Sequence, residues 1–147
     1  MDTTAIHLWL ILWKAFETLR EHATRHIASL HLGFSDFAVL ELLLHKGPAP
    51  VNEIGARVRL TSGSISVAID RLERKGLVKR RFDRDDRRAR VVHLTEAGRC
   101  LIRPAFTDHE AAMEAAASGL TLEERAQAIV LLKKLGLSAQ AMLDGRP

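Results

Sequence analysis

The stretch SGSISVAIDRLERKGLVKRRFDRDDRRAR, residues 62–90, decides the fold that we predict for this 147-residue chain. Its first half carries apolar side chains at positions i, i+4 and i+7, the spacing of one buried face of an α-helix. These side chains are Ile65, Ile69 and Leu72. Thr61 precedes them as a predicted N-cap, and Gly76 follows them as a residue that ends helices. The pattern therefore predicts a helix over residues 62–75.

The second half of the stretch is crowded with charge of both signs. Residues 70–90 hold ten basic and five acidic side chains, whereas the other 126 residues hold twelve and thirteen, so the net charge of +4 belongs to this segment. A localised positive patch attracts polyanions through steering and counterion release, which makes nucleic acid the first partner to consider. The alternative is a solvated, mutually neutralising cluster of surface ion pairs, which contributes very little.

The sequence around this charge predicts a β-hairpin behind a pair of helices. Residues 77–82 and 89–94 are rich in β-branched and apolar side chains, with 83–88 as the tip between them. Upstream, the apolar run that follows Phe34 predicts a helix capped by Ser35, and a shorter helix is predicted over 52–58. Helix, turn, helix and charged hairpin is the order of a winged helix-turn-helix, whose second helix enters the major groove of DNA.

Long helical regions flank this lobe. Residues 4–31 form a predicted helix whose first half is apolar almost all round, which is unusual for the surface of a single domain. Downstream, Thr95 is expected to cap a helix, and Thr121 with Glu124 forms the capping box of a last helix. The apolar face of that last helix comprises Ala128, Leu131, Leu132 and Leu135. A contact with a partner chain explains the apolar surface of the first helix better than a self-contained monomer does.

These features together resemble the MarR family of transcriptional regulators. The segments SGSISVAIDRLERKGLVKR (62–80) and DRDDRRARVVHLTEAGR (83–99) carry the resemblance, with the long helices on either side, over nearly the whole chain. The family wing reads Asp-Pro-x-Asp-Arg-Arg followed by Leu-Thr-x-x-Gly, and this chain departs from it with Arg84 in place of proline. The fold implied is mainly α with a small β-hairpin wing, a winged helix-turn-helix with N- and C-terminal dimerisation helices.

We expect one MarR-like domain over residues 1–147. Its predicted parts are the dimerisation helices 4–31 and 95–143, the winged helix-turn-helix lobe 35–94, the recognition helix 62–75 and the wing 77–94. The resemblance implies a sequence-specific, double-stranded DNA-binding transcriptional regulator, a repressor, that acts as a homodimer on a pseudo-palindromic operator. The half-sites of such an operator lie about one helical turn apart, roughly 34 Å. A helical protein-interaction scaffold with only nonspecific DNA affinity is the alternative function.

The opening turns of the predicted recognition helix are the candidate reading surface. Ser62, Gly63, Ser64 and Ser66 are small residues that let the backbone approach phosphates and base edges. Val67 is expected to touch a thymine methyl group, and Arg71 to reach phosphate or guanine. Each also has an ordinary interpretation: the serines Ser62 and Ser64 satisfy helix-end donors, and Arg71 pairs with a neighbouring carboxylate, Asp70 or Glu73.

The resemblance assigns roles at the wing tip as well. It places Arg88 in the minor groove, with Asp86 as the partner that orients it and Arg87 nearby on phosphate. A carboxylate that holds a guanidinium in one rotamer before DNA arrives reduces the entropy lost on binding. The resemblance thus explains why acidic and basic residues occur together at the wing tip.

Effector binding is a further expectation from the resemblance. MarR-like regulators commonly release DNA when a small aromatic or phenolic acid enters a crevice between the dimer helices and the winged lobe, or when a cysteine oxidises. The residues that would line such a crevice are His7, Trp13, Phe16, Phe37 and His45, although aromatic side chains at helical spacing usually pack in a core or an interface.

The remaining chemistry-bearing residues predict no metal site or catalysis. Cys100 is the one cysteine, which excludes an intrachain disulfide, and we expect a buried, inert thiol. His22 and His26 have a zinc-compatible i, i+4 spacing, but no third ligand converges on them. The sequence contains no nucleophile elbow, phosphate loop or His-Glu-x-x-His motif, so we predict no enzyme and no cofactor. Because the apolar run 8–13 is too short to span a bilayer, we expect a cytoplasmic protein with no membrane partner.

Overall fold

The computed structural model describes residues 2–59, 61–82 and 90–145, with the side chain of Ser62 also outside the description. The helices of this part are α1 (Ala5–Ser29), α2 (Phe34–Lys46), α3 (Val51–Val58), α4 (Ser62–Arg74), α5 (Glu96–Ala116) and α6 (Leu122–Leu143). The strands are β1 (Ala49–Pro50), β2 (Val78–Phe82) and β3 (Arg90–Leu94). The predicted fold class, mainly α with a small antiparallel sheet, is confirmed.

The core lies between α2, α3, α4, the sheet and the first half of α5. The predicted stripe of α4 is at its centre, since Ile65, Ile69 and Leu72 are each at most 1% exposed. The other buried apolar residues of this core include Val39, Leu40, Ile54, Val92 and Ile102. The helix begins as predicted, because the Thr61 hydroxyl accepts a hydrogen bond from the Ser64 backbone N–H at 3.2 Å. It is followed by Gly76 at φ +70°, a conformation that glycine adopts without strain.

The hairpin has the predicted strands and one additional neighbour. Strands β2 and β3 pair antiparallel from Val78 opposite Leu94 to Phe82 opposite Arg90. Strand β1, which the sequence did not reveal, pairs with the other edge of β3 and gives the strand order β1-β3-β2. Proline is acceptable in β1 because an edge strand has one side without a ladder partner.

Two local predictions are wrong. Helix α2 begins two residues earlier than expected, with Gly33 rather than Ser35 as its N-cap and no side-chain cap. Ser35 therefore lies in the first turn, where its hydroxyl accepts a hydrogen bond from Arg71 Nη2 at 3.3 Å. Cys100 is exposed rather than buried, because its position on α5 faces away from the core, and its Sγ lies 3.7 Å from Glu96 Oε1.

The chain forms two compact units, Met1–Met113 and Glu114–Pro147. In the first unit, α1 exposes a long series of large apolar side chains: Ile6, Leu8, Trp9, Leu10, Ile11, Trp13, Phe16 and Leu19. In the second unit, α6 starts with the predicted capping box of Thr121 and Glu124. Its apolar face is uncovered, with Leu131 at 65% exposure. Both helices thus carry apolar surface that this single chain leaves in contact with solvent.

Length and hydropathy give little indication of a membrane span in the described part of the chain. No single helix there is long and apolar enough to cross a bilayer, and the pair α1 and α2, which passes together, is bent by 86°.

A close contact at the start of α5 explains the Leu-Thr-x-x-Gly motif. The Thr95 hydroxyl accepts from the Gly98 backbone N–H at 3.0 Å and donates to the Gly76 carbonyl at 2.6 Å. A Cβ atom placed on Gly98 would lie 2.0 Å from the backbone oxygen of Leu77. Only glycine therefore lets α5 approach the end of the turn that leads from α4 into β2.

Gly98→Ala is expected to destabilise the protein by roughly 1–3 kcal/mol, because the methyl group displaces backbone that no flexible side chain can relieve. Gly136→Ala is the matched control, since a methyl group on Gly136, inside α6, would meet no heavy atom of the described residues within 4 Å. The control is expected to gain about 0.5–1 kcal/mol from helix propensity. Urea unfolding of both variants measures these changes, and a stabilised Gly98 variant would contradict the packing assignment.

A histidine pair joins α1 to α5. The Nδ1 atoms of His26 and His109 are 3.2 Å apart, and the Phe37 ring lies edge-on to His109 with 4.9 Å between centroids. Burial, and then the charge on His26, lower the pKa of His109 below its ordinary value. Among the described residues no group of three or more His, Cys, Asp or Glu side chains is placed to hold a metal ion. The i, i+4 pair His22 and His26 thus has no third ligand there.

The partly buried imidazole of His109 is expected to make folding sensitive to acid. Because its folded-state pKa lies below the ordinary value of 6.5, the unfolded chain binds this proton more readily. The stabilisation is therefore complete above that value and is lost as the pH falls through the folded-state pKa. Urea unfolding at about pH 8 and about pH 5 should show a smaller acid-induced loss for His109→Gln than for the wild type. His22→Gln, a change at a position outside this contact, should behave like the wild type, and equal losses in all three proteins would disprove the assignment.

Candidate DNA-binding surface

The outward face of α4 carries the small and apolar residues predicted to read DNA. Gly63, Ser64, Ser66 and Val67 are all exposed, with Val67 at 57%. They are exposed because the opposite face of the helix holds the buried stripe. The Ser64 hydroxyl also accepts a hydrogen bond from the Thr61 hydroxyl at 2.9 Å, so the cap takes part in fixing the first turn.

Arg71 has a different environment from the one the sequence indicated. Its Nε donates to both carboxylate oxygens of Asp36, at 3.0 and 2.9 Å, and its Nη2 donates to Asp36 Oδ1 at 2.5 Å. Asp36 is only 1% exposed. The partner is therefore neither Asp70 nor Glu73 but a carboxylate 35 positions earlier in α2. Arg71 connects two helices through its guanidinium, while 37% of its side chain stays exposed.

The two carboxylates near Arg71 bind the wing instead. Arg80 of β2 donates from Nη2 to Asp70 Oδ1 at 2.5 Å and from Nη1 to Glu73, while its backbone N–H donates to Glu73 Oε1 at 2.9 Å. The two bonds from Arg80 to Glu73, the backbone bond first, lower the pKa of the Glu73 carboxyl despite its partial burial. Recognition helix and wing are thus linked by ionised groups, which holds the two predicted DNA-contacting elements together.

The described base of the wing presents further cations that were not among the predicted DNA contacts. Arg81, Phe82 and Arg90 are exposed, and the Arg90 guanidinium carbon lies 5.6 Å from the centroid of the Phe82 ring. Both arginines belong to the basic run, so the signal was present, but the pairing of Arg90 with Phe82 across the hairpin became visible only with the strand register. The predicted tip residues Asp86, Arg87 and Arg88 lie outside the described residues.

The five residues predicted to line an effector crevice occupy separate surroundings in the chain. His7 Nδ1 lies 2.8 Å from the backbone oxygen of Asp2, Phe37 is buried against His109, and His45 packs on Phe106 with 4.5 Å between ring centroids. Trp13 and Phe16 are more than half exposed on α1. The structure of one chain therefore does not gather this set into a single crevice.

Comparison with known proteins agrees with this arrangement. A model described as MarR family matches residues 32–89, which include α2, α3, α4 and β2. The HTH-type transcriptional regulator MhqR of Bacillus subtilis (strain 168) is 37% identical over 140 residues, covering 95% of this chain and 97% of its own length. The chain belongs to the MarR family of transcriptional regulators. Such regulators are a class without enzymatic activity.

Solved structures of MarR-like regulators share the fold. The structure of Bordetella bronchiseptica BpsR, whose DNA binding is regulated by 6-hydroxynicotinic acid, matches with a TM-score of 0.78 at 24% identity over 88% of this chain and 98% of that chain. A mutant of MarR from E. coli complexed with operator DNA matches with a TM-score of 0.79 at 22% identity over 88% and 94%. The arrangement of α3, α4 and the hairpin is therefore that of a MarR winged helix-turn-helix.

Proposed function

We propose that this MarR-family chain is a repressor that binds a pseudo-palindromic operator sequence-specifically as a homodimer. The observation that carries the proposal is the two-sided character of α4. Its apolar stripe is fully buried, while Gly63, Ser64, Ser66 and Val67 are exposed on the other side. A helix held in this way can present backbone and small side chains to the major groove.

The proposed contacts divide into reading and positioning contacts. Val67 touches a thymine methyl group, and Ser62, Gly63, Ser64 and Ser66 allow close approach to base edges and phosphates. At the wing tip, Arg88 enters the minor groove, oriented by Asp86, and Arg87 contacts phosphate. The exposed cations Arg81 and Arg90 at the base of the wing add sequence-independent phosphate contacts.

The homodimer is supported by the uncovered apolar helices. Helix α1 exposes Trp9, Trp13 and Phe16 by more than half of their surface, and α6 exposes a row of leucines. Contiguous apolar surface of this extent marks an interaction site in a soluble protein. We propose a second copy of the chain as the partner, with residues 4–31 and 95–143 as the dimerisation helices of one MarR-like domain.

Release by a small aromatic or phenolic acid is a further part of the proposal. Its support is the fold shared with BpsR, which 6-hydroxynicotinic acid regulates, and the exposed aromatic side chains Trp13 and Phe16 on α1. Of the other three predicted lining residues, Phe37 is the least accessible, since it is only 2% exposed. Because an operator-binding regulator works on the chromosome, we place the protein in the cytoplasm.

Selection of bound duplexes from a randomised DNA pool tests this function. The purified wild-type protein at physiological salt is expected to enrich an inverted repeat with half-sites about one helical turn apart, because two winged lobes related by a two-fold axis reach successive major grooves. Recovery of no motif, together with weak binding that salt abolishes, would instead indicate a nonspecific basic protein or a protein-interaction scaffold.

Arg88→Ala is expected to weaken binding to the enriched duplex and to lower the slope of log K against log salt by about one unit, since one phosphate equivalent is no longer neutralised. The matched control is Arg25→Ala, which removes the same charge from an arginine of α1 that is 78% exposed and paired with Glu21. Filter binding over a salt series measures both slopes. An unchanged slope for the Arg88 variant, or an equal change in the control, would remove Arg88 from the interface.

A further inference from the structure

Asp36 is the buried charged side chain of the described part of the chain, and its partners lie on the recognition helix and just after it. Besides the three hydrogen bonds from Arg71, its Oδ2 is 3.7 Å from Lys75 Nζ. The side chains of Arg71 and Lys75 are 37% and 48% exposed, whereas that of Asp36 is 2% exposed. One hidden carboxylate in α2 therefore faces two half-exposed cations at the C-terminal end of α4.

Stability alone is a poor explanation for this arrangement. A carboxylate removed from water loses hydration that its ion pairs only partly restore, so apolar residues of similar volume often serve a core equally well. An ion pair with hydrogen bonds, unlike an apolar contact, requires one particular orientation of its two groups. The guanidinium of Arg71 presents Nε and Nη2 to the two oxygens of one carboxylate, a geometry that tolerates little displacement. The pair therefore restricts how α4 is placed on α2.

Arg71 and Lys75 lie on the same side of α4 as Ser64, one of the residues proposed to contact DNA. Ser64, Arg71 and Lys75 are at positions i, i+7 and i+11, which follow one row along a helix. Without Asp36, two mobile positive charges would continue the surface that faces DNA. Such charges bind phosphate irrespective of sequence.

We propose that Asp36 is a specificity-determining positioning residue of this regulator. It fixes the placement of α4 through Arg71 and withholds Arg71 and Lys75 from phosphates. The chain thereby forgoes nonspecific affinity and discriminates better between operator and other DNA. This role rests on the proposed operator-binding function and deepens it, since it identifies a residue that controls specificity without touching a base.

The Asp36→Asn variant tests the role with two duplexes, the one enriched by the wild type and a scrambled duplex of equal length. Affinity for the scrambled duplex is expected to rise, with a salt slope steeper by about one to two units as Arg71 and Lys75 become available to phosphates. Affinity for the enriched duplex should not rise in parallel, so the ratio of the two affinities should fall about tenfold or more. A purely structural role predicts an equal loss on both duplexes and an unchanged slope.

Glu53→Gln is the control for charge. Glu53 pairs with Arg57 within α3, so this change adds the same +1 to the winged lobe without touching a contact between helices. It should leave the affinity ratio near the wild-type value. An equal fall in the ratio for both variants would show that net charge, and not the position of Asp36, sets discrimination.

The double variant Asp36→Leu with Arg71→Met keeps the proposal testable if the asparagine variant does not fold. Apolar residues that replace a buried ion pair generally preserve folding. The double variant is expected to fold and to bind the enriched duplex with a reduced affinity ratio, because the directional constraint on α4 is lost. A wild-type ratio in this variant, or in a folded Asp36→Asn protein with an unchanged slope, would overturn the inference. Failure of the wild type to prefer any duplex would instead overturn the proposed function.

Discussion

The burial of one face of α4 is the constraint on which the winged lobe depends. Ile65, Ile69 and Leu72 are inaccessible to solvent, and exposing any of them would cost about 1.5–3 kcal/mol. The helix consequently cannot turn about its own axis without losing several such contributions. Fixing that rotation also determines which residues face outward, so the spacing of three apolar side chains specifies the surface that we propose to read DNA. The ion pair between Asp36 and Arg71 also restricts the position of α4 relative to α2.

Hydrogen bonds and ion pairs also fix the elements next to α4. Arg80 connects the wing to Asp70 and Glu73 on α4, and Thr95 connects the start of α5 to the turn after α4. Farther along α5, His109 meets His26 of α1 and Phe37 of α2. Phe37 is adjacent in sequence to Asp36. Side chains of α1, α2 and α5 thus pack together one residue away from Asp36.

Much of the fold was predictable because it depends on local chemistry. Apolar spacing located α4, and short-range hydrogen bonds explain why Thr61, Thr95 and Thr121 were identifiable as helix starts. The contacts that were not predicted connect distant positions. Strand β1 has two residues and depends on β3 for its existence, and Asp36 finds Arg71 only after α2 and α4 pack.

The candidate site shows the same division between local and distant effects. The exposure of Ser64, Ser66 and Val67 follows from the helical period, so the sequence was sufficient to propose them. The partner of Arg71 was misjudged because nearby carboxylates at Asp70 and Glu73 were equally plausible from spacing, and Arg80 occupies them instead. The thiol of Cys100 was misjudged because a shift of one or two residues decides between the two sides of α5.

The most direct test of this account is a repeat selection from the randomised duplex pool with Ser64, Ser66 and Val67 all replaced by alanine. These exposed side chains contribute little to the core, so the triple variant should fold and retain salt-dependent binding through its cations. The sequence motif enriched by the wild type is expected to be lost. Enrichment of the same motif by the folded variant would contradict the claim that the outward face of α4 reads the operator.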